Sequence, residues 1–225
     1  MITLNMNGLR VSVEDGATVL EAARFFGFPI PTLCHMEGLT PYGACRLCLV
    51  EIGEGQGAKL ISSCTYPAQE GLRVRTASSR VLRARRMVIE LLLASCPQSK
   101  VIQDIASAHG VNQQRFRQEH EDCVLCGLCV RMCKEQMMAG AIGFRGRGAN
   151  RSIGTPFDIR SDVCRVCGAC MQVCPACQLR CTYSEPETAV CGGCQNTFPP
   201  CAEKGNFDDV ACYMSPCVAC ELPHK

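Results

Sequence analysis

Residues 123–133 read CVLCGLCVRMC, and residues 164–175 read CRVCGACMQVCP. The first run spaces Cys123, Cys126, Cys129 and Cys133 by two, two and three residues. The second repeats that spacing at Cys164, Cys167, Cys170 and Cys174, followed by Pro175. Three thiolates two residues apart can wrap one side of an iron–sulfur cubane, but a tight loop cannot close on all four irons. In two-cluster ferredoxins the fourth cysteine of each run ligates the other cluster. The doubled run therefore predicts one [4Fe–4S] on Cys123, Cys126, Cys129 and Cys174, and a second on Cys164, Cys167, Cys170 and Cys133. Gly127 and Gly168 hold equivalent places, where backbone must pass close to sulfide. Lys134 stands where a proline follows Cys174 in the second run, a change that bears on loop shape more than on ligation. Paired zinc knuckles are the competing reading of such runs.

Working outward, residues 119–176 form this two-cluster region, its runs joined by a Gly- and Arg-rich stretch at 140–154 that reads as an extended loop. Residues 177–225 carry eight more cysteines: Cys177, Cys181, Cys191, Cys194, Cys201, Cys212, Cys217 and Cys220. This tail has no run long enough for a regular core and reads as metal-binding. Eight thiolates suit one or two further [4Fe–4S] clusters. Cys191-x2-Cys194 and Cys217-x2-Cys220 also suit the two arms of a zinc ribbon, and disulfides are a third option.

Residues 81–118 change character. Val81, Val88 and Leu91 or Leu92 recur at helical spacing, and Pro97 separates a second helix at about 99–109 carrying Val101, Ile105 and Ala108. Residues 1–80 read as a small sheet-rich domain. Ile2–Met6 and Leu9–Val13 alternate around Asn7-Gly8, as a hairpin does. Thr18 and Glu21 form a capping box for a helix at about 19–27. Strands are expected at 47–52, 59–62 and 72–74, the first two joined by the flexible glycine-rich stretch 53–57. This domain carries Cys34, Cys45, Cys48 and Cys64 in the order long, short, long. Four thiols can bind zinc. The spacing, and Gly43 and Ala44 crowded against the central pair, favour a [2Fe–2S] whose sulfides meet nearby backbone N–H groups.

Cysteine makes up 21 of the 225 residues, an odd number that simple disulfide pairing cannot absorb. Tryptophan is absent and only 4 His are present, so large aromatic cores and histidine-based metal sites are minor themes. Net charge is +2, which argues neither for nor against nucleic acid, and no nucleic-acid partner is expected. Arg73, Arg75, Arg80, Arg83, Arg85 and Arg86 occur with no acidic residue between them. They read as a solvated helix face or as a surface for an acidic partner subunit. The opening MITLNMNGLRVSVEDG lacks a secretory pattern, and the most apolar stretch, 87–94, is too short to span a bilayer. A reducing, cytoplasmic location is expected. No dinucleotide fingerprint or P-loop is present, and no catalytic set stands out. His35, beside Cys34, reads as a supporting or surface residue.

Residues 1–80 closely resemble the N-terminal domain of the large iron–sulfur subunit of respiratory complex I and the matching diaphorase subunits of NAD-linked hydrogenases and formate dehydrogenases. The likeness runs on through Arg85-Arg86-Met87, through Glu90 to Ala94, and through the paired runs to about residue 176. The resemblance implies an α+β chain: a β-grasp [2Fe–2S] ferredoxin domain on Cys34, Cys45, Cys48 and Cys64, a short helical segment, and a bacterial-type two-[4Fe–4S] ferredoxin domain. The cysteine-rich metal-binding tail follows these. It implies a non-catalytic electron-transfer subunit of an NAD(P)/flavin-linked, sometimes electron-bifurcating, oxidoreductase. Its partners would be a flavin- and NAD(P)-binding subunit and a catalytic subunit, with no direct membrane span. One departure is clear. The family normally carries a histidine and three cysteines after the Leu-rich helix, ligating another [4Fe–4S]. Here Cys96 and Lys100 stand at the first two of those places, no cysteine follows before Cys123, and His109 and His120 are isolated. That cluster is expected to be absent and Cys96 to be a leftover buried thiol. The rival readings are a structural or assembly protein with a zinc-binding tail, and a catalytic iron–sulfur reductase subunit.

Overall fold

A computed structural model describes residues 1–113, 115–117, 123–159, 161–164 and 167–176. The eight tail cysteines and their expected metal fall outside the described residues. The chain divides into two compact units: residues 1–35, 41–97 and 102–119, and residues 36–40, 98–101 and 120 onward.

In the first unit, β1 (Ile2–Met6) and β2 (Leu9–Val13) pair antiparallel with Leu4 opposite Val11. The turn between them is left-handed at both Asn7 (φ 53°) and Gly8 (φ 92°), as a two-residue hairpin of this hand requires. Alternation sends Leu4, Met6, Val11 and Val13 inward. Helix α1 (Val19–Phe25) starts at Thr18, whose hydroxyl accepts the Glu21 amide at 3.2 Å while Glu21 accepts the Thr18 amide at 2.6 Å. It lays Val19, Leu20, Ala22 and Ala23 on the apolar face of the strands.

Strands β3 (Leu49–Ile52) and β4 (Lys59–Ser62) form a second antiparallel hairpin, linked through a 3-10 turn at Gly55–Gly57. β3 is shorter than the expected 47–52 because Leu47 and Cys48 belong to the cysteine loop before it. The last strand, β5 (Arg73–Arg75), lies in the middle of the sheet, parallel to β1 and antiparallel to β3. The order is β2-β1-β5-β3-β4.

Helix α2 (Ser79–Ser95) is capped by the Ser78 hydroxyl, which accepts the Val81 amide at 3.3 Å. It packs against β3 on the face opposite the α1 core, so all four β3 residues are buried. Its buried stripe is Val81, Arg85, Ile89 and Ala94. This corrects the expected face: Val88 and Leu92 are only half-buried, and Leu91 is exposed. An arginine takes a core position, so counting apolar residues alone rotated the helix. In α3 (Lys100–Ala108) the buried residues are Ile102 and Ala106, not Val101, Ile105 and Ala108.

The basic stretch is not one open face. Arg73 pairs with Glu54, while Arg75 and Arg80 approach Glu51 at 3.6 and 3.9 Å. Arg85 is buried, and Arg83 and Arg86 are exposed.

The second unit has short elements. Helix α4 (Leu128–Arg131) runs into a π-helical turn at Met132–Gln136, and α5 (Ala169–Gln172) follows the second cysteine run. Strands β6 (Gly143–Arg145) and β7 (Ser152–Gly154) pair antiparallel. They replace the extended loop expected at 140–154. Strands of three residues show no alternation to read. They are held by Arg145 Nε donating to Ser152 Oγ at 2.8 Å, and by the Arg151 guanidinium 4.0 Å from the Phe144 ring centroid. Residues 36–40 are tied down by Arg131, whose Nη1 donates to the Thr40 carbonyl at 2.7 Å, and by Glu135, which accepts the Thr40 amide at 2.7 Å. Ser99 Oγ donates to the Pro175 carbonyl at 3.0 Å. No helix among the described residues is long and apolar enough to cross a membrane.

Candidate metal centres

Cys34, Cys45, Cys48 and Cys64 are all buried, and they meet as two pairs. In one pair the Cys45 thiol hydrogen-bonds to Cys34 and lowers its pKa to about 6 against the opposing effect of burial. The amides of Cys45 and Ala44 add to the lowering, the Cys45 amide lying 3.5 Å from Cys34 Sγ. Cys45, the proton holder, is pushed up by that hydrogen bond and by burial. In the other pair the Cys48 and Cys64 sulfurs are 3.3 Å apart. Cys48 is lowered to about 6, chiefly by the Cys64 thiol, and Cys64 is raised in turn. Within each pair the two sulfurs share a hydrogen bond, and a bound metal would displace the thiol protons.

Among the described residues no group of three or more His, Cys, Asp or Glu converges as on a single ion. Two sulfur pairs suit a two-iron cluster, which takes two thiolates on each iron, better than one tetrahedral zinc.

The loop that carries the central pair is left-handed at Gly43 (φ 71°) and Arg46 (φ 57°). These reversals turn the amides of Ala44, Cys45 and Leu47 toward sulfur. A Cβ at Gly43 would sit 3.2 Å from Thr65 Cγ2. Gly43→Ala should therefore cost about 1–2 kcal/mol of loop strain and shorten the lifetime of the visible circular-dichroism bands of the loaded first unit. Thr65→Ser, which removes the opposing methyl, should restore part of that lifetime. Equal lifetimes in the wild type and Gly43→Ala would refute the role given to this turn.

In the second unit the two cysteine runs are built alike. Gly127 (φ 71°) and Gly168 (φ 67°) are left-handed residues immediately before α4 and α5. The glycines thus serve the turn into each helix, a role separate from the expected close approach to sulfide. Cys129 is pushed up by burial, then by the charges of Cys174, Cys126 and Cys123, with Cys170 a smaller contributor. Cys170 is pushed up to about 11 by burial, then by Cys133, Cys167 and Cys164. Each third cysteine therefore feels two cysteines of its own run and the last cysteine of the other. Amides also reach sulfur here, from Leu125 to Cys123 and from Ala141 to Cys133, each at 3.3 Å. Cys96 is buried at the C-terminal cap of α2, and His35 is half-buried.

Residues 1–79 match the 2Fe-2S iron-sulfur cluster binding domain family, and residues 122–181 match the 4Fe-4S dicluster domain family. The crystal structure of an NAD+-reducing [NiFe]-hydrogenase in the H2-reduced state contains a chain 30% identical to this one. The likeness has a TM-score of 0.62 and covers 69% of this chain and 75% of that one. The chain belongs to the family of iron–sulfur electron-transfer modules found in complex I and hydrogenase diaphorase subunits. Within that family, an NADH-quinone oxidoreductase subunit of Rhizobium meliloti is 33% identical, over 78% of this chain and 23% of the relative. NADP-reducing hydrogenase subunit HndD of Solidesulfovibrio fructosivorans is 30% identical, over 78% of this chain and 35% of the relative. The chain thus spans about a quarter to a third of these curated relatives. Membership makes this module an iron–sulfur protein of ferredoxin type.

Sequence reasoning did not place Arg85 in the interior of the fold. Its signal was present, since Val81, Arg85 and Ile89 are spaced by four, but a basic residue in a basic run reads as surface.

Proposed function

We propose that the chain is a non-catalytic electron-transfer subunit of a multisubunit NAD(P)/flavin-linked oxidoreductase, of the hydrogenase or formate dehydrogenase kind. The supporting observation is the crossed electrostatic pattern in the second unit, where, after burial, the charge of Cys174 acts on Cys129 and that of Cys133 on Cys170. It supports one [4Fe–4S] on Cys123, Cys126, Cys129 and Cys174, and another on Cys164, Cys167, Cys170 and Cys133. Shared ligands draw two clusters together, as one-electron relay demands. The paired sulfurs support a [2Fe–2S] on Cys34, Cys45, Cys48 and Cys64. A mixed sheet with α1 on one face supports a β-grasp domain at 1–80. A helical segment at 81–118, the two-cluster domain at 119–176 and a metal-binding tail at 177–225 complete the proposed division. When bound, the clusters supply one-electron redox chemistry. The chain's residues hold them dry, aim amides at sulfur and set their charge surroundings. The proposed partners are a flavin- and NAD(P)-binding subunit and a catalytic subunit, and the proposed location is the cytoplasm; the NADH, NADP and hydrogenase names of the relatives support the NAD(P)-linked part of this reading.

Metal analysis and EPR of the anaerobically purified chain test this reading. About 10 irons are expected from the three centres and about 18 if the tail holds two more clusters. About 10 irons with zinc would assign the tail to zinc. Failure to find a reducible [2Fe–2S] signal beside a magnetically coupled [4Fe–4S] pair would overturn the proposal.

A further inference from the structure

Arg85 is 3% exposed, on the face of α2 that packs against β3. Its Nη2 donates to the Leu49 carbonyl at 2.7 Å, one residue beyond Cys48. Its Nε is buried without a hydrogen-bond partner. Among the described residues no carboxylate pairs with it. Glu51, two residues along the same strand, is engaged by Arg75 and Arg80 instead. A buried guanidinium with one carbonyl partner is costly unless an opposite charge lies close by. The charge acting on it is that of Cys48, while burial lowers its pKa.

We infer that Arg85 is the counter-charge of the [2Fe–2S] centre, a positioning residue that raises the cluster's reduction potential from the back of the sheet. The inference rests on the proposed ligation by Cys48. Four thiolates around two irons and two sulfides leave a net negative centre, and reduction adds one more negative charge. A fixed positive charge beside one ligand favours the reduced form over the oxidised one. It also explains the choice of Arg over an apolar residue in a helix stripe otherwise filled by Val81, Ile89 and Ala94. The guanidinium also presents its donors in a rigid planar fork, one of which holds the Leu49 carbonyl.

Two variants separate charge from clamping. Arg85→Gln keeps a donor for the Leu49 carbonyl and loses the charge, whereas Arg85→Lys keeps the charge. EPR-monitored redox titration of the full chain reads the midpoint potential of the [2Fe–2S]. Arg85→Gln should shift the reduced-to-oxidised ratio at a fixed potential at least tenfold toward oxidised, about 59 mV lower for one electron. Arg85→Lys should stay within threefold of the wild type. Loss of the cluster in Arg85→Gln with retention in Arg85→Lys also supports the inference, because the donor survives in both. An unshifted Arg85→Gln, or loss of the cluster in both variants, overturns it in favour of a clamp. Absence of a [2Fe–2S] signal in the wild type would instead overturn the ligation on which the inference depends.

Discussion

Cys174→Ala should remove about 4 irons per chain, and combining it with Cys123→Ala should remove no more. Combining Cys174→Ala with Cys164→Ala, although both lie in the same run, should remove about 8. The reason is the proposed crossed ligation, in which each run supplies the fourth cysteine of the other's cluster. The charges of Cys174 on Cys129 and of Cys133 on Cys170 are in keeping with it. Additivity then follows the cluster and not the sequence. Iron analysis gives the totals, and EPR of the reduced single variant should show the coupled spectrum collapse to that of an isolated [4Fe–4S]. If Cys174→Ala and Cys164→Ala together cost only about 4 irons, the fourth ligands stay within their own runs and the crossed assignment fails.

Stripping the clusters should divide the chain by the behaviour of its amides. In hydrogen exchange, β1, β2 and β3 should keep slow amides, while residues 128–136 and 169–172 should exchange at the rate of an unfolded chain. The first unit owns a core of Leu4, Met6, Val11, Val19, Leu20, Val50 and Val74, all nearly fully buried. Each such side chain contributes about 1.5–3 kcal/mol of burial. The second unit has helices of four residues and strands of three. Helices that short do not stand without tertiary support, so for this unit ligation is folding energy. Slow amides at 128–136 after stripping would show that the second unit folds without its metal.

Local chemistry made much of this molecule readable. The first hairpin appears at the expected residues because alternation and Asn7-Gly8 agree, and Thr18 with Glu21 marks the start of α1 to the residue. The cysteine runs announce their class through spacing, and residues 122–181 match the 4Fe-4S dicluster family accordingly. What spacing cannot state is which sulfurs meet, and the pairing of Cys34 with Cys45 and of Cys48 with Cys64 is visible only in the folded loop. Arg85 shows a different limit. Periodicity treats arginine as a surface residue and points to Val81, Val88 and Leu91 or Leu92 as the inward face of α2, of which Val81 alone is fully buried. The burial of Arg85 follows from the packing of α2 on β3, where it meets the Leu49 carbonyl, a non-local fact. The β6–β7 hairpin was hidden because three-residue strands among glycines carry no pattern.

The central place of β5 bears on how the molecule is made. Arg73–Arg75 come last among the strands of the first unit, yet they join its two halves. Until they leave the ribosome, the N-terminal hairpin and the β3–β4 hairpin have no shared hydrogen bonds. Cys34, Cys45, Cys48 and Cys64 all precede that strand. These four thiols are therefore synthesised before the sheet can zip. Joining distant strands is slow compared with forming local hairpins. The four thiols of the first unit are thus in place before its two hairpins join through β5.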